Sequence, residues 1–197
     1  VRPRDVFEFP TMGDGIAAHQ WEKFFREILP DCRHLLRLDL RDNPKTCKVD
    51  VAQFAVPFVS EALAHLQELN LSNTAMYGDI VHLAKLRRIR KMNLQGLENL
   101  TGDVASMSRL IEMRELVLSG CVGVTGDISK LKRLQDLSTL DIDGCNGLRS
   151  GHLREQLTEL GNLLPRCTNL GSGLDASRKS SRTSPAPHSR TMQFLSM

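Results

Sequence analysis

A repeated pattern in the middle of this 197-residue chain constrains its fold more than any other feature. Gly78, Gly102 and Gly126 follow one another at intervals of 24 residues, and each begins a Gly-Asp-apolar triplet. Similar segments begin 23 or 24 residues apart, at Leu66, Ile89, Met113 and Leu137. This period is too long for a single helix or strand. It is typical of a solenoid, in which each coil buries its apolar side against its neighbours.

Within a coil the apolar residues follow the pattern L-x-x-L-x-L-x-x-N/C. The pair Leu116 and Leu118 alternates with period two, which predicts a short strand with both leucines facing inward. Leu131 and Leu134 follow at a spacing of three residues, which indicates a helical turn. Because aromatic residues make up only 5% of the chain, the core must be filled mainly with aliphatic side chains.

These segments resemble leucine-rich repeats through residues of roughly 35–165. The T-G-D-I element, as in residues 125–128, is similar to the 24-residue class that is common in plants and protists. The resemblance implies an α/β fold, namely a right-handed solenoid of about five coils with a parallel sheet on its concave side. It implies little about function, because one fold serves many functions.

The two ends of the chain have the character of helical caps. Residues 1–34 predict an N-terminal cap, with Asp14 capping an amphipathic helix that runs to about Leu29. Residues 35–170 contain the repeats and a closing helix, whose leucine stripe stops at Pro165. Residues 171–197 are rich in Ser, Pro and Arg and predict a disordered basic tail.

The net charge of +3 comes from this tail, since the remainder of the chain is neutral. A neutral body argues against nucleic acid as the partner. Ser181 and Ser184 lie near arginines and a proline, so they are candidate phosphorylation sites, and an unmodified tail is the alternative.

Cysteine content and hydropathy bear on the compartment. The five cysteines are an odd number without C-x-x-C spacing, which argues against a disulfide framework and a zinc site. We therefore expect an intracellular, reducing compartment, either the cytoplasm or an organelle after removal of a transit peptide. No run of 18 apolar residues occurs in the sequence, so no membrane-spanning helix is predicted.

Equivalent positions of successive coils form columns on the predicted concave face. One column, which begins Arg37, Glu68, Lys91, Glu115, alternates in sign and predicts cross-strand ion pairs. The neighbouring columns carry short polar side chains and become acidic toward the last coil, where a basic partner segment would be favoured. The candidate partner-binding residues are Asn70, Ser72, Lys91, Asn93, Gln95, Val117, Ser119, Asp141 and Asp143.

Three further columns have both structural and functional interpretations. Asp79, Asp103 and Asp127 each precede a helical turn, so we interpret them as helix caps rather than calcium ligands. Lys85, Arg109 and Arg133 form a basic ridge that could contact an acidic partner or RNA, or only solvent. Cys121 and Cys145 take the place of asparagine in the ladder that bonds turn amides in this family, and we expect buried thiols there.

No motif of an enzyme class is present. The sequence lacks G-x-x-x-x-G-K-[ST], G-x-G-x-x-G, H-E-x-x-H and G-x-S-x-G. We therefore predict a non-catalytic protein–protein interaction module or scaffold, with no cofactor, metal or small-molecule substrate. The alternative is an accessory structural subunit of a large complex, including an organellar one. A ubiquitin-ligase substrate adaptor and a GTPase regulator rank below both.

Overall fold

The computed structural model describes residues 6–8, 18–43, 47–148 and 153–171. The predicted cap residue Asp14 lies outside the described residues. So do the phosphorylation candidates Ser181 and Ser184 and the predicted tail from residue 172 onward.

Ten short strands are described, most of them three residues long. In chain order they are β1 (Val6–Glu8), β2 (Arg37–Asp39), β3 (Glu68–Asn70), β4 (Gly78–Asp79), β5 (Lys91–Asn93), β6 (Leu100–Asp103), β7 (Glu115–Val117), β8 (Gly123–Thr125), β9 (Thr139–Asp141) and β10 (Asn169–Gly171). Seven of them form one parallel sheet in the order β1-β2-β3-β5-β7-β9-β10, and β4, β6 and β8 form a second parallel sheet. Each coil between β2 and β9 thus contributes one strand to the larger sheet.

The larger sheet keeps the same register from coil to coil. The central residues of its strands are paired in the series Leu38, Leu69, Met92, Leu116 and Leu140, all of them buried. The residue two positions later is also buried in every coil, as the alternating pattern predicts. Because these side chains stack on their equivalents in the next coil, a single hydrophobic core runs along the solenoid.

Helical segments close the other side of each coil. Those in the repeats are 3₁₀ helices at Val51–Ala55, Ile80–Lys85, Val104–Arg109 and Ile128–Arg133. The spacing of Leu131 and Leu134 fits this form, because a 3₁₀ helix returns to the same face every three residues. The described α-helices are α1 (Ala18–Lys23), α2 (Pro57–Ala62) and α3 (Leu153–Leu163). The first coil accommodates α2 because it is longer than the others.

Two Thr-Gly-Asp elements, at residues 101–103 and 125–127, each join their coil to the one before it. The Thr101 hydroxyl donates a hydrogen bond to the Gly78 carbonyl at 3.1 Å, and Thr125 repeats this bond to Gly102 at 3.4 Å. Gly102 has φ +105°, a backbone conformation that side chains rarely adopt. A Cβ there would also collide with the carboxylate of Asp79 in the preceding coil. The glycine is therefore required by an inter-coil contact as well as by the turn.

The N-terminal segment differs from the single helix that the sequence predicts. Helix α1 passes into a π-helical turn at Phe24–Ile28 and then a 3₁₀ turn at Leu29–Asp31. The Leu29 N–H donates to the Phe24 carbonyl, which is the i→i+5 bond of a π-helix. The wider turn keeps both Phe24 and Phe25 buried.

Both end segments also add a strand that the sequence pattern does not predict. Strand β1 pairs with β2, and strand β10, which follows helix α3, pairs with β9. The larger sheet therefore has two more strands than the five repeats indicated. A three-residue strand is too short to give a periodic signal, so only pairing with its neighbour reveals it.

Candidate functional site

The concave face of the larger sheet is edged by a ladder of ion pairs. The Lys91 ammonium lies 3.9 Å from a Glu68 oxygen and 3.3 Å from a Glu115 oxygen, and the Arg37 guanidinium lies 3.7 Å from Glu68. The alternation of signs predicted these cross-strand pairs. They are half-exposed, so each contributes at most about 1 kcal/mol to stability. Their main effect is to orient the long side chains along the face.

The central column of the face forms hydrogen bonds at the ends of its own strands. Asn70 Oδ1 accepts from the Ser72 N–H at 3.1 Å and from the Ser72 hydroxyl at 2.8 Å. Asn93 Oδ1 accepts from the Gln95 N–H, and Asp141 Oδ1 accepts from the Asp143 N–H, both at 3.0 Å. These Asx-type bonds end each strand. Asn70 Oδ1 already accepts two of these bonds, so Asn70 offers a partner its NH₂ group, whereas Asn93 offers its NH₂ group and a second acceptor position on Oδ1.

A cavity of about 570 Å³ lies on the face over strands β2, β3, β5 and β7. Of the predicted binding residues it brings together Asn70, Lys91, Asn93 and Val117. The other predicted residues, Ser72, Gln95, Ser119, Asp141 and Asp143, do not line it. The charged residues Arg37, Arg41, Glu68 and Glu115 do line it, although we did not include them in the predicted site. Their positions in the columns of the predicted concave face could have identified them as lining residues.

Asp39 and Val117 lie in the same column but differ in what they can offer a partner. Asp39 is only 2% exposed and is held between Arg37 at 3.3 Å and Arg41 at 3.5 Å, so its carboxylate is committed to the structure. Val117 stands in the same column without a side-chain oxygen and is half-buried. It provides an apolar contact among the polar groups.

The carboxylates of Asp79, Asp103 and Asp127 cap the 3₁₀ helices, as predicted. Each accepts a 2.8 Å hydrogen bond from the backbone N–H two residues later, and Asp50 does the same in the first coil at 2.7 Å. Hydrogen bonds from the Ser129 hydroxyl and N–H hold the pKa of Asp127 below its ordinary value. Among the described residues, no three His, Cys, Asp or Glu side chains are grouped so that they could hold a metal ion.

The ladder column contains Asn43, Thr74, Cys121 and Cys145 at equivalent positions of their coils. Each of these four side chains forms a hydrogen bond, although only the first is asparagine. Asn43 donates to the carbonyls of Leu40 and Arg41, and the Thr74 hydroxyl donates to Leu71 at 2.8 Å. The buried thiols of Cys121 and Cys145 donate to carbonyls of the preceding coil, those of Leu94 at 3.1 Å and Leu118 at 2.9 Å. Cysteine thus replaces the intra-coil bond of Asn43 and Thr74 with an inter-coil bond.

Burial should make stability depend on pH at alkaline values. It raises the pKa of Cys121 to about 12, above the unfolded value of about 8.5. The resulting stabilisation is complete below pH about 8.5 and is lost as the pH rises toward 12. Relative to Cys121→Ser, which retains a donor but does not titrate, the wild type is expected to lose up to about 1.4 kcal/mol per pH unit above pH about 9. Urea unfolding followed by circular dichroism measures this difference, and parallel profiles for the two proteins would contradict it.

The predicted basic ridge lies away from the concave face. Lys85, Arg109 and Arg133 are the last residues of three successive 3₁₀ helices, and all three are exposed. Within the described part of the chain, no helix is long and apolar enough to cross a membrane.

Several solved structures are similar to part of the chain. An internalin from Listeria monocytogenes is 20% identical with a TM-score of 0.48, and the match covers 72% of this chain and 35% of that one. Internalin C2 from the same organism is 19% identical with a TM-score of 0.45, covering 72% of this chain and 63% of that one. The leucine-rich repeat domain of the type III effector XopL is 18% identical with a TM-score of 0.45, covering 73% and 55%.

The chain spans less than two thirds of the length of each of these proteins. At these TM-scores the likenesses say nothing about what this chain binds. No protein-family model and no curated protein matches the chain. The fold rests instead on the chain's own repeat of inward leucines, one parallel strand per coil and a constant register. On that geometry, the chain has the leucine-rich-repeat fold.

Proposed function

We propose that this protein is a non-catalytic protein–protein interaction module whose concave sheet binds a segment of a partner. The observation that carries the proposal is the 570 Å³ concavity, which is lined by oriented charges, two asparagine amides and the side chain of Val117. An apolar contact surrounded by polar groups is the usual anatomy of a protein interface. The face offers no aromatic anchor among its lining residues, so we expect modest affinity and transient binding.

The finer roles predicted from the sequence remain proposals. An accessory subunit built into a large complex would use the same face permanently, whereas a recognition module would release its partner. We propose a reducing compartment for both, because three cysteines, Cys47, Cys121 and Cys145, are buried without forming a disulfide. The two roles differ in whether the native protein elutes as part of a large assembly.

A matched pair of valine substitutions tests the concave site. Val117→Arg puts a long cation on the concave face, whereas Val122→Arg makes the same change at an exposed position that does not line the cavity. Affinity purification from cells that express the protein, with quantitative mass spectrometry, should show partner recovery falling about tenfold for Val117→Arg. Recovery with Val122→Arg should match the wild type. Equal recovery with both variants, each folded by circular dichroism, would overturn the concave-face proposal.

A further inference from the structure

A second surface lies where each coil turns from its 3₁₀ helix into its strand of the larger sheet. Six exposed cations lie on this surface, which we call the basic edge: Lys85, Arg87, Arg88, Arg109, Arg114 and Arg133. They come from three successive coils and stand at the start of the strands, away from the capping aspartates. Residues 1–170 are neutral in total, which conceals this separation of charge.

The backbone of the basic edge repeats closely, so equivalent residues lie side by side. Leu86, Leu110 and Leu134 each donate a backbone hydrogen bond three residues back, at 3.1, 3.0 and 2.9 Å. The strands that follow are in register, with Lys91 opposite Glu115 and Glu115 opposite Thr139. Lys85, Arg109 and Arg133 therefore form one row, spaced at the sheet by about 5 Å. Arg87, Ile111 and Gln135 form the next row.

The carboxylates on this edge are already engaged. Glu112 accepts hydrogen bonds from Arg90 at 3.3 Å, and Asp136 is bonded to Arg166. Among the residues that the structure describes, none of the six cations of the basic edge forms an ion pair. Since Glu112 and Asp136 are matched by other arginines, the edge presents a positive potential that its own coils do not cancel.

An apolar side chain lies within this positive surface. Ile111 is 65% exposed, more than any other described large hydrophobic residue. It lies between Arg87 of the preceding coil and Gln135 of the next, two residues after Arg109. Beside the cations, this side chain supplies the apolar contact that protein interfaces combine with polar groups.

We propose that the basic edge binds an acidic segment of a partner protein, and that an apolar side chain of this segment packs on Ile111. The cations match the carboxylates and Ile111 matches the apolar residue. Nucleic acid fits less well, because no described Phe, Tyr or Trp on this edge is exposed for base stacking. The chain's own residues 172–197 carry a net positive charge, so they do not complement the edge. The site is separate from the concave face and can fail or succeed independently of it.

Fluorescence anisotropy with synthetic probes tests the proposal. The first probe is a labelled Glu-rich peptide with two leucines, the second replaces the leucines by serine, and the third is oligouridylate of the same charge. The wild type should bind the leucine peptide about tenfold more tightly than the serine peptide, and oligouridylate no more tightly than the serine peptide. Binding should weaken as salt concentration rises.

Substitutions locate the binding to the edge. Arg109→Glu should weaken the leucine peptide about tenfold, and Ile111→Ser should weaken it about fivefold without affecting the serine peptide. Lys48→Glu makes the same change of charge in the exposed segment that leads to the second sheet, and should change affinity less than about twofold. Four results would each overturn the proposal. They are equal effects of Arg109→Glu and Lys48→Glu, equal affinity for both peptides, tighter binding of oligouridylate than of the leucine peptide, and no binding of the leucine peptide.

Discussion

Replacing Gly102 by alanine is expected to lower the free energy of unfolding by about 3 kcal/mol, far more than an alanine costs at an ordinary surface position. Two effects combine at this residue. Its φ of +105° is unfavourable for any residue with a Cβ, and the new Cβ would lie 2.9 Å from Asp79 Cγ, with the carboxylate oxygen closer still. To make room, the Asp79 side chain must move away from the Val81 N–H that it caps at 2.8 Å.

Two further variants separate the strain from the collision. Gly120 also has a positive φ, +78°, but a Cβ there would meet only Gly96 atoms at an ordinary 3.5 Å. Gly120→Ala should therefore cost only about 1 kcal/mol. Asp79→Ala removes the colliding atoms, so the double variant with Gly102→Ala should be about 1 kcal/mol more stable than the sum of the two single losses predicts. Urea unfolding followed by circular dichroism measures all four variants, and strict additivity would contradict the inter-coil collision.

Replacing Phe25 by alanine is expected to lower the free energy of unfolding by about 4 kcal/mol. Its ring packs edge to face against Phe24 at 5.3 Å and against Phe54 at 5.4 Å between centroids, and its side chain is 1% exposed. Phe25 therefore ties the N-terminal helical segment to the first coil. Ile28→Ala is the matched control, because Ile28 lies on the same turn but is 37% exposed. It should cost under about 1 kcal/mol.

The single tryptophan makes the Phe25 experiment more informative. Trp21 lies in helix α1 with its ring 6.2 Å from Phe24, so its fluorescence reports the N-terminal segment, while circular dichroism reports the whole chain. If the segment is an integral cap of the core, both signals should shift together to lower urea in Phe25→Ala. A shift of the fluorescence transition alone would show that the segment folds separately and would contradict the predicted capping role.

The regular part of the fold was accessible from the sequence, whereas the end segments were only partly so. Leu116 and Leu118 indicate a strand because their alternate spacing places both side chains in the core. Asp103 indicates the start of a helix because an N-cap depends only on residues next to it in the sequence. Strand β1 and strand β10 have no such signal, since each is three residues long and exists by pairing with β2 or β9. The π-helical turn at Phe24–Ile28 likewise depends on what its two rings contact.

The candidate site, too, was predicted only in part from the sequence. Columns of the repeat placed Asn70, Asn93 and Val117 on one face without a structure. They did not show that the asparagine oxygens are occupied by the turns that follow, or that the cavity excludes Asp141 and Asp143. Those facts depend on where the side-chain atoms lie, which a spacing along the sequence does not give.

The sequence by itself determined the period of the coils, the residues that face inward and the residues that cap the helices. Each of these follows from a local rule or from a spacing along the chain. Only the tertiary structure decided why Gly102 must be a glycine, which carbonyl the Cys121 thiol meets, and that Glu112 and Asp136 leave the cations around Ile111 unmatched. These contacts join atoms of different coils, and their distances are set when the coils stack.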